Sequence, residues 1–145
     1  MEAFQLVDKK CFMSSIFTKI ISGKIPSYKI FENDLIFAFL DISPIRPGHT
    51  LIVPKVEIDY FVDVPENYYQ AVFAAAKTLA PAIQRSIDCQ RIGMMVMGID
   101  VPHFHLHLVP IVDGKEFSTP HNNPKPSKEE LETIQEKISG NLKTS

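Results

Sequence analysis

The feature that most constrains the fold of this chain is a run in which histidine alternates with apolar residues, His-Phe-His-Leu-His-Leu-Val at 103–109. Side chains alternate between the two faces of a β-strand, so the run predicts a strand with one apolar, core-facing side. The other side then carries His103, His105 and His107 as neighbours. Neutral imidazole is a nucleophile and a base, and protonated imidazole donates hydrogen bonds to phosphate oxygens. The run therefore predicts a reactive cluster suited to chemistry at phosphorus.

The histidine run is also compatible with a purely structural role or with a metal site. A polar sheet face can simply tolerate histidine, although three histidines in strict alternation make this interpretation the weaker one. Imidazoles at alternate positions can also converge on a metal ion, since histidine is the commonest protein ligand for zinc. The chain has no Cys-x-x-Cys pair that could add ligands, while Asp100 lies just before the run. We predict no metal and no other cofactor, with metal binding kept as the alternative.

Composition limits the classes of protein to which the chain can belong. Its 145 residues suffice for one domain with a hydrophobic core, and its net charge of −2 offers no basic surface for nucleic acid. A hydrophobic content of 45% argues against disorder, and no apolar run approaches the roughly 20 residues of a membrane-spanning helix. The first residues have no signal-peptide pattern, and Cys11 and Cys89 show no motif spacing. We expect a cytoplasmic protein that binds neither nucleic acid nor membranes.

Apolar periodicity and chain-breaking residues predict an α+β domain over residues 14–145, preceded by an N-terminal extension over residues 1–13. Short apolar segments bounded by turn residues predict an antiparallel sheet. The predicted strands are 28–31, 35–42, 49–53, 92–97 and 103–110. The predicted helix boundaries are Ser14 or Ser15 to Gly23 for a short first helix, a capping box of Asp63 and Glu66 for the longest helix, and a capping box of Ser127 and Glu130 for the last. Pro81 should kink the longest helix because it removes a backbone donor.

The histidine run and four upstream blocks together resemble the histidine-triad (HIT) superfamily. Residues 103–109 match its signature of three histidines separated by apolar residues, and residues 15–21, 23–26, 38–44 and 47–55 resemble its phosphoramidase-like branch in the same order. The resemblance implies a HIT-like α+β fold, with a five-stranded antiparallel sheet, one long helix and short terminal helices. It also implies a homodimer in which the sheets of the two subunits are joined.

The resemblance implies catalytic roles for four histidines. His105 attacks the α-phosphorus of a purine nucleotide and forms a nucleotidyl-histidine intermediate, which water then hydrolyses. His103 and His107 help to orient that ring, hold phosphate oxygens and manage the proton of the leaving group. His49 matches a fourth family histidine. The implied substrates are purine nucleoside phosphoramidates or related adenylated compounds.

A nucleoside pocket is implied by a second set of residues. Period two places Phe37, Phe39 and Asp41 on one strand face, which combines rings that can pack on a base with a carboxylate that can accept ribose hydroxyls. The resemblance assigns the nucleoside site to Ile16, Phe17, Ile20, Phe39, Asp41 and Ile42. An apolar stripe of this kind also serves as hydrophobic core, which is the role we expect for Ile21 and Phe37.

The turn before the histidine run departs from the family pattern. Many members carry Asn, Gln, Ser or Thr there as donors to phosphate, whereas this chain has Gly-Ile-Asp-Val-Pro at 98–102 and resembles a bacterial subgroup with a shortened loop. We expect backbone donors between Gly98 and Val101 to contact the substrate instead. The Cys-x-x-Cys zinc pair of some relatives is replaced by Ser15 and Thr18, so no structural zinc is predicted.

The shortened turn leaves two alternatives to a phosphoramidate hydrolase. The first is a nucleotide-binding regulatory module without catalysis, because side chains that donate to phosphate are missing. The second is a dinucleoside polyphosphate hydrolase or nucleotidyltransferase, two activities found on the same fold.

Overall fold

A five-stranded antiparallel sheet in the order β1-β2-β3-β5-β4 is the central element of the protein. The computed structural model describes residues 14–118 and 123–143, and in these residues three α-helices and two short 3-10 turns accompany the sheet. The strands are β1 (Lys29–Glu32), β2 (Ile36–Leu40), β3 (Thr50–Pro54), β4 (Arg91–Met95) and β5 (Leu106–Ile111); the helices are α1 (Ile16–Ile21), α2 (Glu66–Ser86) and α3 (Lys128–Lys143). The predicted α+β class is confirmed. The predicted extension over residues 1–13 lies outside the described residues.

The two faces of the sheet pack against different helices, which explains the continuous apolar sequence of β2. All five residues of this strand are buried. Ile36, Ala38 and Leu40 belong to a main core with α2 and α3, whereas Phe37 and Phe39 belong to a second core with α1. Phe37 therefore has the core role that its position predicts. The second core lies on the sheet face that also carries the histidines.

Helix α2 does not begin as predicted. The expected capping box is wrong, because Asp63 belongs to a 3-10 turn (Phe61–Asp63) and the helix begins at Glu66, after Pro65. The helix continues without a break through Pro81. Pro81 and Lys77 are both exposed, so water can solvate the Lys77 carbonyl that has lost its amide partner.

The other two helices begin with the predicted caps. The Ser15 hydroxyl accepts the backbone N–H of Thr18 at 3.0 Å, and Gly23, with φ of +83°, follows the end of α1. Ser127 and Glu130 exchange backbone-to-side-chain bonds of 3.1 and 3.0 Å at the start of α3. Within residues 14–118 and 123–143, no helix is both long enough and apolar enough to cross a membrane.

Only part of the histidine run at 103–109 lies in a strand, which corrects the prediction. Strand β5 begins at Leu106, after the first two histidines, and its pairing with β3 ends where Ile52 lies opposite Leu106. Before this point the N–H of Phe104 donates to the carbonyl of Ile58 at 2.7 Å rather than to a neighbouring strand. Phe104, Leu106 and Leu108 nevertheless belong to the main core, as their alternation predicts.

Phe104 connects the histidine segment to the main core and offers a test of the packing. Its side chain is 1% exposed and its ring stacks on Tyr69 with centroids 6.2 Å apart. Phe104→Ala removes a buried ring and leaves a cavity, so we expect the free energy of unfolding to fall by about 3–5 kcal/mol. Urea denaturation followed by circular dichroism measures this loss. Val62→Ala, at a residue that is 62% exposed, is the control; a similar small change in both variants would contradict the described packing.

Candidate active site

Four histidines and a phenylalanine of α1 form a continuous cluster on the sheet face of the second core. The ring centroids of His105 and His107 lie 4.9 Å apart, and those of His107 and His49 lie 5.2 Å apart. Phe17 places its ring in edge contact with His105 at 4.9 Å and with His103 at 5.8 Å. The structure thus brings together the four histidines that the sequence singles out.

The backbone holds His105 in one tautomer. Nδ1 of His105 lies 2.7 Å from the carbonyl oxygen of His103, which can only accept, so this nitrogen carries the proton. A neutral ring then has its lone pair on Nε2. Although His105 is only 4% exposed, it borders a cavity of about 220 Å³ together with Met97 and Gly98. The arrangement provides an oriented nucleophilic nitrogen next to a small open space.

Hydrogen-bond directions also fix the protons of His49 and His107. The N–H of Ile45 donates to Nδ1 of His49 at 3.0 Å, so the proton of a neutral His49 lies on Nε2. Nε2 of His49 lies 2.9 Å from Nδ1 of His107, and Nδ1 accepts the hydrogen bond. Burial, followed by the charge of His105, lowers the pKa of His107 to about 4. At neutral pH, His107 is therefore uncharged and carries its own proton on Nε2.

His103 corrects part of the predicted arrangement. Its side chain is completely buried, and both ring nitrogens have partners within the protein. Nε2 donates to the carbonyl of Pro54 at 2.9 Å, and Nδ1 accepts the hydroxyl of Ser15 at 2.8 Å. Burial lowers the pKa of His103, which keeps this ring neutral. The ring therefore does not reach phosphate oxygens as predicted, and it is the backbone carbonyl of His103 that orients His105.

Asp41, His49 and His107 lie close enough to be considered as metal ligands. One ligand atom from each residue lies within 4.8 Å of the other two. A metal ion needs an imidazole nitrogen without a proton. The N–H of Ile45 occupies Nδ1 of His49 and leaves the proton on Nε2, the nitrogen that faces the other two residues. The group therefore fits a chain of hydrogen bonds better than it fits a cation.

The predicted base-binding residues divide into a buried and an exposed group. Phe17, Ile20 and Phe39 belong to the second core, where the rings of Phe17 and Phe39 meet edge to face at 5.6 Å. Ile16 and Ile42 are 48% and 54% exposed, so both have free apolar surface. The buried residues support the site, and the exposed ones offer contact area to a ligand.

Asp41 directly follows β2 and its carboxylate faces His49. One carboxylate oxygen accepts the N–H of Ser43 at 2.8 Å, and the other lies 3.7 Å from Nε2 of His49. The side chain is 22% exposed, so it is held in place and still accessible. Asp41 and His49 also border a cavity of about 720 Å³ between the loop 44–48 and the segment that leads into α3.

The turn before the histidine run borders the cavity next to His105 at Gly98. Gly98 has φ of +79°, and no atom lies within 4 Å of the position that a Cβ would take. Its left-handed backbone, rather than crowding, therefore favours glycine. Gly98 borders the cavity next to His105, whereas the side chain of Val101 packs against the second core. Of these two predicted contacts, the structure places Gly98 on the cavity that His105 also borders.

Two residues that were not predicted as part of the histidine cluster are linked to it, Ser15 directly and Glu57 through Ser15. Ser15, expected only as a helix cap, donates its hydroxyl to His103. Glu57 accepts the N–H of Ser15 at 2.6 Å and the hydroxyl of Thr18 at 2.7 Å. The Ser-x-x-Thr spacing of Ser15 and Thr18 is the one feature of the sequence that relates to these two bonds. Glu57 lies in an irregular segment, where no periodicity indicates a partner.

The low pKa of His107 predicts how stability changes with pH. Its pKa falls from 6.5 to about 4 on folding, so the unfolded chain binds more protons between these pH values. The stabilisation is complete above pH 6.5 and is lost as the pH falls towards 4, by about 2 kcal/mol from this residue after allowance for solvent screening. Urea denaturation across this range measures the slope. His107→Gln should flatten it, and an identical slope in both proteins would refute the assignment.

A known protein family and several known proteins match most of this chain. The HIT domain family matches residues 22–113. The protein "Protein hit" of Bacillus subtilis is 33% identical over 93% of this chain and 99% of its own length. Adenosine 5'-monophosphoramidase HNT1 of Saccharomyces cerevisiae is 36% identical over 79% of this chain and 71% of its own length.

Solved structures agree with the sequence comparison. The crystal structure of a Hit-like protein from Bartonella henselae has a TM-score of 0.78 at 31% identity, and the match covers 88% of this chain and 96% of that chain. The residues that the family matches include all four clustered histidines and Asp41. The resemblance seen in the sequence is thereby confirmed. The chain belongs to the HIT family.

Proposed function

We propose that this protein is a nucleotide hydrolase that cleaves purine nucleoside phosphoramidates, or related adenylated compounds, at the α-phosphorus. The observation that carries the proposal is the 2.7 Å bond from Nδ1 of His105 to the carbonyl of His103, because it leaves Nε2 of the neutral ring ready to attack. Two fungal relatives, 36% and 33% identical, are named adenosine 5'-monophosphoramidases, which supports this choice of substrate.

The proposed reaction has two displacements at phosphorus. In the first, Nε2 of His105 forms a bond to the α-phosphorus while the phosphorus–nitrogen bond breaks, and the departing amine takes up a proton from water. The carbonyl of His103 stabilises the positive charge of the substituted ring. In the second, water attacks the phosphorus and gives up a proton to the solvent, the bond to His105 breaks, and the nucleoside monophosphate leaves. His107, with its proton on Nε2, donates a hydrogen bond to the phosphate or to the departing nitrogen.

The nucleoside half of the substrate has a matching set of contacts. The exposed surfaces of Ile16 and Ile42 offer apolar contact to a base. The buried rings of Phe17 and Phe39 pack against each other and support the site. The carboxylate of Asp41 is accessible and can accept the ribose hydroxyls. Recognition through these groups distinguishes a nucleotide from a simple phosphoramidate.

The turn at 98–102 favours one second candidate, a nucleotide-binding module without hydrolysis. Its residues are Gly, Ile, Asp, Val and Pro, and none of these side chains is a neutral donor for a phosphate oxygen. Backbone N–H groups alone would then have to stabilise the transition state. The two candidates predict the same nucleotide affinity and opposite results for turnover.

Replacement of the proposed nucleophile separates these candidates. Wild-type protein should release AMP from an adenosine phosphoramidate, and His105→Ala should lower kcat by about 1,000-fold or more because no covalent intermediate can form. AMP affinity, measured by calorimetry, should change by less than about threefold, since the nucleoside contacts remain. Chromatography of the products measures AMP release.

Each contrary result has a defined meaning. AMP binding without turnover in the wild type would support the binding module. Equal turnover in wild type and His105→Ala would exclude His105 as the nucleophile. Loss of turnover in excess EDTA would favour the metal alternative.

We also propose that the protein forms a homodimer through the edge of β4. The sheet has two edges in the described residues, and β1 carries the charged pair Lys29 and Glu32, which discourages strand pairing. Strand β4 and the residues just after it instead present exposed apolar side chains, with Met94 at 57% and Met97 at 55%. Such a surface is typical of an interface between protein subunits.

A charge on the β4 edge tests the dimer. Met94→Glu places a carboxylate in the proposed interface, where desolvation of the charge opposes association, so we expect a monomer. Sedimentation velocity measures the mass of both proteins at equal concentration. Val62→Glu, on an exposed 3-10 turn, is the matched control and should leave the dimer intact. A wild-type monomer, or a dimeric Met94→Glu protein, would refute this interface.

A further inference from the structure

One carboxylate fastens the first turn of α1 to the segment after β3. The same oxygen of Glu57 accepts the backbone N–H of Ser15 at 2.6 Å and the hydroxyl of Thr18 at 2.7 Å. Both bonds are short and charge-assisted. They join parts of the chain that are far apart in sequence, since Ser15 and Glu57 are separated by 42 positions. Glu57 thereby links the start of α1 to the segment that follows β3.

From Ser15 the contacts continue to His105. The Ser15 hydroxyl donates to Nδ1 of His103 at 2.8 Å, and the carbonyl of His103 accepts Nδ1–H of His105 at 2.7 Å. Phe17, on the turn that Glu57 holds, packs against the ring of His105 with centroids 4.9 Å apart. Two routes, one of hydrogen bonds and one of packing, therefore connect the carboxylate to the nucleophilic ring.

The carboxylate is suited to a permanent structural role. Burial acts to raise the pKa of Glu57, but hydrogen bonds from Ser15 and Thr18 outweigh it and hold the pKa below its usual value. Glu57 therefore stays ionised at neutral pH and remains an acceptor for both donors. It does not border the cavity next to His105, so it has no direct contact with a substrate there.

We propose that Glu57 is a positioning residue for His105, and that it acts through Ser15 and His103. Its effect on turnover rests on the proposed function of this site, whereas its effect on the orientation of the histidine rings does not. Loss of the carboxylate releases Ser15, the His103 ring loses its second anchor, and the carbonyl that orients His105 is less firmly held.

The test combines kinetics with spectroscopy on the full chain. In Glu57→Ala we expect kcat for an adenosine phosphoramidate to fall about 10–100-fold, while KM and AMP affinity change less than about threefold, because the ring is misplaced and the nucleoside contacts remain. Two-bond proton–nitrogen NMR spectra of the imidazole rings report which nitrogens carry protons. The wild type should show His105 with its proton on Nδ1, and Glu57→Ala should show a mixture of tautomers.

Two further variants keep the inference testable if Glu57→Ala does not fold. Glu57→Gln retains an acceptor oxygen without the charge, so its loss of kcat should be smaller. Ser15→Ala removes the bond to His103 directly and should alter the His103 ring signals in the same way as Glu57→Ala.

A matched carboxylate outside the site serves as the control. Glu32 accepts Lys55 at 2.7 Å, and its pKa is likewise lowered by hydrogen bonds from Lys55 and Lys29. Glu32→Ala should leave kcat within about twofold and the histidine signals unchanged, because an exposed ion pair contributes little.

Failure of the inference and failure of the proposed function give different results. Unchanged His103 and His105 signals in folded Glu57 and Ser15 variants would overturn the positioning role, whether or not the wild type is active. A kcat loss no larger than that of Glu32→Ala would do the same. A wild type without turnover would refute the proposed hydrolase, and the NMR comparison would still decide the role of Glu57.

Discussion

The hydrogen bond between the carbonyl of His103 and the ring of His105 is the constraint on which the rest of the site depends. In a regular strand, a carbonyl points sideways to a neighbouring strand. Here it turns to a side chain two residues further on, at 2.7 Å. Strand β5 begins only at Leu106, so the carbonyl that orients His105 belongs to irregular backbone. The irregular backbone before the strand is thus what fixes the tautomer of the His105 ring.

Neutrality of the His103 and His107 rings is the second condition that the cluster meets, because burial lowers the pKa of both. Imidazolium rings whose centroids are about 5 Å apart would repel each other, and burial adds a desolvation cost. Each ring instead makes a hydrogen bond whose donor and acceptor can be assigned. Ile45 donates to His49, His49 donates to His107, and His105 donates to a carbonyl. Because every proton has an assigned nitrogen, the cluster is oriented before a substrate arrives.

Sequence patterns predicted the fold class, two of the three helix starts and the grouping of the histidines, because these depend on periodicity and local capping chemistry. Ser127 and Glu130 form their box as expected, whereas Asp63 does not, because a 3-10 turn uses that residue before the helix begins. The burial of the His103 ring depends on Ser15 and Pro54, which are distant in sequence. Contacts of this kind have no periodic signal, so the sequence alone could not assign that ring to a structural role.

The position at which β5 begins also determines where the chain can change in length near the histidines. A one-residue slip within a strand would move every side chain to the opposite face. Strand β5 is held in register by its own buried apolar residues and by pairing with both β3 and β4. A change in the length of the turn at 98–102 would be absorbed in the irregular residues before Leu106. The loop that borders the cavity can therefore gain or lose residues while His107 keeps its side of the sheet.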